Sequence, residues 1–222
     1  MKTILLSIFI ICFFKIVAQD TDSAALEQER ITWNRRLTKD TAFRFNKQPN
    51  ALLVEIAGHR TPGAALDVGM GQGRNSIYLA KHGWKVTGID IADEAVKVAL
   101  GEAKRQHLKI EAVLASIDNY DFGKDRWDLV VFVYEGCIDE GEERLNKIEK
   151  SMKSGAVIVF EFFHREAGIK MNRPDFGCET NTIRRAFEKE GAFKILRFEE
   201  KSGIADYSLK EYKLVRLVAE KR

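Results

Sequence analysis

Three glycines and two aspartates in the segment ALDVGMGQGRNSIYLAKHGWKVTGID have the spacing of a nucleoside-binding loop. Gly69, Gly71 and Gly73 occupy alternate positions after a short apolar run. Glycines between a strand and a helix let the backbone turn tightly and approach a ligand with no side chain in between. Asp90 ends the next apolar run, where a carboxylate can accept two hydrogen bonds from a ribose diol. We therefore predict a nucleoside pocket at this segment.

The kind of nucleoside depends on the residues around the glycines. A dinucleotide-binding loop needs small residues at its first, third and sixth positions, because the pyrophosphate rests on the start of the helix. Counted from Gly69, the sixth residue is Arg74, which is not small. Counted from Gly71, the sixth residue is Ser76, which such a loop could tolerate. Asp67 would repel a pyrophosphate, whereas it would attract a ligand with a cationic amino-acid end. This favours a positively charged nucleoside, and an NAD(P)-dependent oxidoreductase is the alternative.

Apolar runs of strand length alternate with amphipathic segments of helix length along most of the chain. The runs are AALDV, WKVTGID, KIEAVLA, WDLVVFVY and GAVIVFEFF, and the segments between them have helical periodicity. Strands that are apolar on both faces and separated by helices indicate a parallel sheet covered on both sides. Ahead of the first run, residues 24–38 and the segment after Pro49, with Asn46 as a possible N-cap, are predicted helices.

The C-terminal part of the chain departs from this alternation. After the predicted helix TNTIRRAFEKEG, the strands FKILRFEEKSG and LKEYKLVRLVAEK follow each other, with Gly203 in the loop between them. Consecutive strands joined by a loop imply an antiparallel hairpin at one edge of the sheet. The predicted fold is therefore α/β: a doubly wound, mostly parallel, seven-stranded sheet that ends in an antiparallel hairpin.

The pattern D-x-G-x-G-x-G, followed by an acid at the end of the second strand, resembles that of the class I S-adenosylmethionine-dependent methyltransferases, whose fold is Rossmann-like. The resemblance covers most of residues 45–222, and GQGRNSIYLAKHGWKVTGID is similar to the tellurite-resistance (TehB-like) and small-molecule branch of the family. It implies a transferase that uses S-adenosylmethionine as cofactor for the methylation of a small-molecule acceptor.

The resemblance also implies roles for individual residues. The three glycines would shape the loop under the methionine and ribose portions of the cofactor, and Asp67 would organise the polar contacts there. Asp90 would hold the ribose hydroxyls, and Ile91 would lie against the adenine. Family members usually place an acid after the third strand for the adenine amine. This chain has Ser116 at the aligned position, so Asp118, two residues further on, is the expected substitute.

Methyl transfer from a sulfonium is a direct displacement, so the protein must align the acceptor and exclude water. A base is needed only where the acceptor atom carries a proton with a high pKa. We predict His164 and Tyr134, which follow strands at the carboxyl edge of the sheet, as catalytic candidates, and Glu135, Trp33 and Phe45 as acceptor contacts. The alternatives are a capping role for His164 and packing of the aromatic residues on the sheet.

The N-terminal segment has the features of a secretory signal peptide at residues 1–18. Lys2 precedes an apolar stretch, and Ala18 is a small residue suited to cleavage. This predicts an exported or periplasmic protein with a helical cap at residues 19–62 and a methyltransferase domain at residues 63–222. A retained anchor that faces the cytoplasm is the alternative. An exported enzyme lacks an obvious cofactor supply, so an exported non-catalytic nucleoside-binding protein is a further hypothesis.

Charge and cysteine content exclude other classes of function. The formal net charge is +3, cleavage after residue 18 would remove two of the positive charges, and the remaining charges are scattered. A nearly neutral domain gives no electrostatic case for binding nucleic acid. Cys137 and Cys178 show neither a metal-ligand spacing nor a redox CxxC motif. No metal is therefore predicted, and whether the two cysteines pair stays open.

Overall fold

The computed structural model describes residues 24–138, 143–189 and 191–222. The predicted signal peptide, or anchor, at residues 1–18 lies outside these ranges. Within them, none of the helices has both the length and the apolar character needed to cross a membrane.

Seven strands among the described residues form one sheet. They are β1 (Ala64–Val68), β2 (Lys85–Asp90), β3 (Ile110–Leu114), β4 (Trp127–Val133), β5 (Met152–Phe163), β6 (Phe193–Ile204) and β7 (Glu211–Lys221). Their spatial order is β3-β2-β1-β4-β5-β7-β6. Neighbouring strands from β3 to β5 are parallel, whereas β7 is antiparallel to both β5 and β6. The strand order reverses between β1 and β4, and ligands of open α/β sheets bind at such a switch point.

The helices cover both the sheet and its carboxyl edge. They are α1 (24–38), α2 (Ala51–Ala57), α3 (Arg74–Lys81), α4 (Asp93–Arg105), α5 (Glu143–Ser151), α6 (Arg165–Lys170) and α7 (Thr182–Lys189). The predicted α/β fold with its antiparallel C-terminal strands is confirmed. Two details of the prediction were wrong: Gly203 lies inside β6 and pairs with Tyr212 rather than lying in the loop, and the short helix α6 was not anticipated.

The core lies around the central strands β1, β4 and β5. Residues 129–132 of β4 and 157–160 of β5 are fully buried, because helices or loops cover both faces of the sheet. Phe132 and Phe160 stack across these two strands, with ring centroids 5.9 Å apart. The central strands are therefore the rigid base on which the loops at the carboxyl edge are built.

Helix α1 is attached to the beginning of α4 by a buried asparagine. The Asn34 side chain donates to Asp93 Oδ1 at 2.8 Å and accepts a hydrogen bond from the Glu94 backbone N–H at 2.9 Å. Because α4 begins at the carboxyl end of β2, this contact holds α1 over the switch point. Helix α2 is capped by Asn50, which accepts from the Leu53 N–H, so the predicted cap at Asn46 was wrong by four residues.

Cys137 and Cys178 form a disulfide, with their Cα atoms 5.3 Å apart. The pairing that the sequence left open is thus present in the structure. The bond joins the segment after β4 to the segment after α6, so it ties together two loops at the carboxyl edge of the sheet.

Candidate functional site

The loop after β1 requires glycine for both conformation and space. Gly69 and Gly73 have φ values of +67° and +80°, in the left-handed region that disfavours other residues. A Cβ atom on Gly69 would overlap the Glu135 carboxylate. A Cβ atom on Gly73 would lie 2.8 Å from the Cβ atom of Ala99, on the packed helix α4. The glycines therefore let the loop pass closely under Glu135 and over α4.

Asp90 holds this loop at the end of β2. Its two carboxylate oxygens accept hydrogen bonds from the Gly71 and Ala92 backbone N–H groups, each at 2.7 Å. Burial raises the pKa of the Asp90 carboxyl, although these hydrogen bonds oppose the shift. The Ile91 backbone N–H also interacts with this carboxylate. A carboxylate has about four acceptor positions, so acceptor capacity remains for a ligand hydroxyl. Asp90 both orders the glycine loop and presents free acceptors to the cavity beside it.

Asp67 lies beneath the glycine loop. It does not belong to the described lining of the cavity beside Asp90 and Gly69. It is 1% exposed and accepts a hydrogen bond from Ser76 Oγ at 2.6 Å. Burial raises its pKa to about 6, despite the bond to Ser76. Asp67 thus joins the end of β1 to the first turn of α3, and it adds negative potential under the loop.

Arg74, at the first position of α3, is held by contacts with two other segments of the chain. Its guanidinium pairs with Asp206 Oδ2 at 2.8 Å and donates to the Gln48 carbonyl at 3.0 Å. These contacts fix the Arg74 side chain beside a further cavity of about 660 Å³, which is also lined by Gly71 and Asn75 at the start of α3.

A cavity of about 270 Å³ opens beside Asp90 and Gly69. We call it the acidic cavity, because its described lining contains one cation, Arg144, and four carboxyl residues: Glu29, Asp90, Asp118 and Glu135. Burial and the nearby Asp90 charge raise the pKa of the Glu135 carboxyl to about 8. A cationic ligand would stabilise these carboxylates in their ionised form.

The predicted adenine contacts belong to the acidic cavity. Ile91, Ser116 and Asp118 all line it. The Asp118 carboxylate is largely exposed and accepts a hydrogen bond from Arg144 Nη2 at 3.0 Å. Ser116, at the position where relatives have an acid, and Asp118, the expected substitute, therefore both line the acidic cavity.

A second cavity of about 860 Å³ adjoins the first. We call it the aromatic cavity, because seven aromatic residues line it: Trp33, Phe43, Tyr134, Phe162, Phe163, Phe176 and Tyr207. Four residues line both cavities: Trp33, Tyr134, Glu135 and Tyr207. These four surround the junction between the two cavities, where a group passing from one ligand to another must be located.

The two predicted catalytic residues differ in their placement. Tyr134 lies at the junction, and its hydroxyl accepts a hydrogen bond from the Asp206 N–H at 2.9 Å. Burial and the charges of Glu161 and Asp206 raise the pKa of Tyr134 far above its ordinary value, so the hydroxyl stays protonated at neutral pH. Tyr134 is therefore suited to positioning rather than to proton abstraction.

His164 lines none of the described cavities. Its Nδ1 accepts a hydrogen bond from the Glu166 N–H, capping α6, and its Nε2 lies 3.1 Å from Thr180 Oγ1. The imidazole is 2% exposed, and burial lowers its pKa. Both ring nitrogens are engaged within the fold, which is the capping arrangement given above as the alternative to catalysis.

The predicted acceptor contacts come from three separate segments. Trp33 and Glu135 lie at the junction, whereas Phe45 lies outside the aromatic cavity and stacks on Tyr207, with ring centroids 6.1 Å apart. Trp33, Phe43, Phe45 and Tyr207 pack with Leu37 as a small cluster separate from the main core. The N-terminal aromatic residues therefore both pack together and border the site.

Sequence reasoning missed several residues of the site. Tyr207 follows β6, Arg144 belongs to α5, and Glu29 belongs to α1. These residues carry no motif, and no signal in the sequence relates them to the glycine loop. The run VYEGCIDEG at the end of β4 was the one available pointer to this edge, and its Tyr134 and Glu135 line both cavities.

Comparison with known proteins agrees with this geometry. Residues 65–155, from β1 into β5, match a methyltransferase domain family. This segment of the chain is therefore similar to a methyltransferase domain. A ribosomal protein L11 methyltransferase from Dictyoglomus thermophilum is 34% identical over 140 residues, which are 62% of this chain and 40% of that protein.

Two further comparisons concern TehB of Haemophilus influenzae, described as a probable S-adenosylmethionine-dependent methyltransferase. It is 33% identical over 107 residues, which are 46% of this chain and 35% of TehB. Its crystal structure superposes with a TM-score of 0.64 at 19% identity, covering 77% of this chain and 61% of that one, and so supports the fold. The chain spans less than half the length of these curated relatives.

The residues present fit the family's cofactor. A positively charged sulfur and an ammonium group match a cavity with four carboxyl residues, and Asp90 offers free acceptors to a ribose. Gly69 lines that cavity together with Glu135, whose carboxylate lies directly against the glycine backbone. In the parts of the chain that the structure describes, no group of three or more histidine, cysteine or acidic residues is arranged to bind a metal.

Proposed function

We propose that the protein transfers a methyl group from S-adenosylmethionine to a small-molecule acceptor. The observation that carries this proposal is the pair of adjoining cavities at the switch point of a methyltransferase domain. The acidic cavity suits the cationic cofactor, and the aromatic cavity suits an acceptor. Their junction at Tyr134 and Glu135 is the place where the two ligands meet.

The residues of the chain contribute binding, orientation and exclusion of water. When bound, S-adenosylmethionine supplies an electrophilic methyl group on a positively charged sulfur. Asp90 and the glycine loop hold the nucleoside, and the aromatic walls exclude water from the junction. Positioning of this kind supplies roughly 7–11 kcal/mol in favourable intramolecular reactions. The Glu135 carboxyl, which lines both cavities, holds its proton near neutral pH because burial and the Asp90 charge raise its pKa to about 8.

Acceptor choice is assigned in this proposal to the N-terminal cap and to the segment after β5. Trp33 and Phe43 of the cap, and Met171 and Phe176 of residues 165–181, line the aromatic cavity. Exchange of residues 19–50 with those of a relative is expected to change acceptor preference. An unchanged preference would argue against this assignment.

We also propose that the domain is exported and that residues 1–18 are its signal peptide. The Cys137–Cys178 disulfide supports this, because disulfides persist in oxidising compartments and are rare in the cytosol. Mass spectrometry of the mature N-terminus in cell fractions tests it. A retained leader on a cytoplasmic domain with free thiols would support the anchor hypothesis instead.

Calorimetry of the purified protein with S-adenosylmethionine, S-adenosylhomocysteine and NAD tests the function. We expect both sulfur nucleosides to bind and NAD not to bind. Binding of NAD alone would support an oxidoreductase. Binding of the sulfur nucleosides without turnover of any acceptor in a broad panel would support a non-catalytic nucleoside-binding protein.

A further inference from the structure

The mouth of the aromatic cavity is strongly cationic. Among the described residues that line it, five are basic: Arg35, Arg36, Arg44, Arg173 and Lys210. Its described lining contains two acidic residues, Asp40 and Glu135. The adjoining acidic cavity has the opposite balance, so the two cavities are suited to ligands of opposite charge.

Within the described residues, the five basic side chains have no carboxylate partner within ion-pair distance. The Asp40 carboxylate, which could have paired with them, accepts hydrogen bonds from the Ala42 and Phe43 backbone N–H groups at 2.9 and 3.2 Å. Arginines beyond this mouth do pair, as Arg165 does with Glu179 at 2.9 Å.

Two of the arginines are held against aromatic rings of the cavity. The Arg36 guanidinium carbon lies 5.3 Å from the Trp33 ring centroid and 5.8 Å from that of Phe43. The Arg173 guanidinium carbon lies 4.4 Å from the Phe176 ring centroid. A guanidinium over an aromatic face keeps the N–H donors at its edge available to an anion. These two guanidinium groups therefore lie beside apolar surface of the cavity.

Charge and apolar surface are separated by depth. Tyr134, Phe162 and Phe163 are buried at the floor, near the junction with the acidic cavity, whereas Arg35, Arg44, Arg173 and Lys210 are exposed. A ligand that satisfies both regions has an apolar, flat body at the floor and a negative charge at the mouth.

We propose that the acceptor is a planar, mostly apolar molecule with an anionic group, bound with its anion at the mouth and its methylated atom at the junction. This inference rests on the proposed methyl transfer and specifies its substrate class. A carboxylate, phosphate ester or sulfate ester meets the requirement at the mouth, since each accepts hydrogen bonds from guanidinium groups.

Binding of matched probe pairs tests the charge requirement. We suggest calorimetry of the S-adenosylhomocysteine complex with a hydroxynaphthoate and with the corresponding neutral hydroxynaphthamide. The carboxylate is expected to bind at least ~10-fold more tightly, and the difference should shrink at high salt. Equal affinities, or no binding of either probe, would overturn the proposal.

Variants locate the effect at the mouth. The double substitution Arg36→Gln and Arg173→Gln is expected to remove most of the preference for the carboxylate while leaving amide affinity and the melting temperature nearly unchanged. Lys210→Gln should weaken carboxylate binding several-fold, whereas the matched control Lys124→Gln, an exposed lysine outside the described lining of the cavity, should not. Equal loss of both probes in the double variant would mean that these arginines act through packing and would overturn the proposal.

Two readouts separate this inference from the function on which it rests. If S-adenosylhomocysteine binds but the anion preference is absent, only the acceptor class is wrong. If S-adenosylhomocysteine does not bind, the proposed function fails as well. Tighter binding of a single-stranded oligonucleotide than of any aromatic acid would assign the basic residues to a nucleic-acid backbone and overturn the proposal.

Discussion

Asp90 is placed to combine a structural role with the proposed role in cofactor binding. It accepts hydrogen bonds from the Gly71 and Ala92 N–H groups, so its loss leaves two donors unpaired and loosens the loop. Loss of a charged hydrogen-bond acceptor costs about 1.5–3 kcal/mol, so Asp90→Ala is expected to weaken S-adenosylmethionine binding roughly 10- to 100-fold. Calorimetry measures this, with the exposed Asp175→Ala as control. Unchanged affinity in Asp90→Ala would contradict the pocket assignment.

Glu135 makes the stability of the ligand-free protein depend on pH. Its pKa is raised from 4.5 to about 8, so the folded state binds a proton that the unfolded state releases. The contribution of this group to the free energy of unfolding is at its maximum below about pH 4.5 and is lost as the pH rises towards 8. Asp67, with a pKa raised to about 6, acts in the same direction over a lower range.

Substitution of Glu135 by glutamine tests this dependence. Glutamine keeps the shape of the side chain and cannot ionise. The melting temperature of Glu135→Gln is therefore expected to fall less between pH 5 and pH 8 than that of the wild type. Thermal unfolding followed by circular dichroism measures both profiles. Parallel profiles would show that the carboxyl is already ionised in the folded protein.

The charge of Glu135 also predicts how the cofactor and its product differ in affinity. S-adenosylmethionine carries a sulfonium charge that S-adenosylhomocysteine lacks, and ionised Glu135 favours that charge. The ratio of the two affinities is expected to rise between pH 6 and pH 8, towards the Glu135 pKa of about 8. Both ligands carry the same amino group, so the effect of its titration cancels in the ratio. In Glu135→Gln this affinity ratio should not change with pH. A ratio that is independent of pH in the wild type would show that Glu135 does not lie near the sulfonium.

At the scale of elements, the Cys137–Cys178 disulfide links the segment after β4 to the segment after α6. The cysteines are 41 residues apart in sequence, and closing a loop of this size stabilises by roughly 3–4 kcal/mol in the chain-entropy model. The double substitution of both cysteines by serine is therefore expected to lower the melting temperature by roughly 10 °C. Scanning calorimetry measures this, and a reductant should produce the same shift in the wild type but none in the variant.

At the scale of the whole molecule, ligand binding at the switch point should stabilise the entire sheet. The cavity borders β1, β2 and β4, which belong to one continuous core. A free ligand at 100 times its Kd stabilises the folded state by about 2.7 kcal/mol, which corresponds to a rise in melting temperature of roughly 5–10 °C. Differential scanning fluorimetry with S-adenosylhomocysteine measures this, and NAD should produce no shift.

The chain by itself determined the order of its elements and the position of its loop. Apolar runs and helical segments identify strands and helices, because burial on both faces leaves a local signature. The glycines and Asp90 were predictable for the same reason, since backbone conformation and the end of a strand are properties of a few adjacent residues. The helix cap at Asn50 was missed, because Asn46 and Asn50 have equal local propensity and only packing selects one.

Only the tertiary structure decided which side chains share a cavity. Tyr207, Glu29 and Arg144 come from elements distant in sequence, and they meet Glu135 because the sheet order places their loops at one edge. The engagement of His164 by Glu166 and Thr180, the cysteine pairing and the basic mouth of the aromatic cavity likewise depend on contacts between segments. Local patterns carry no information about such contacts, because the free energy that forms them comes from burial in the assembled core.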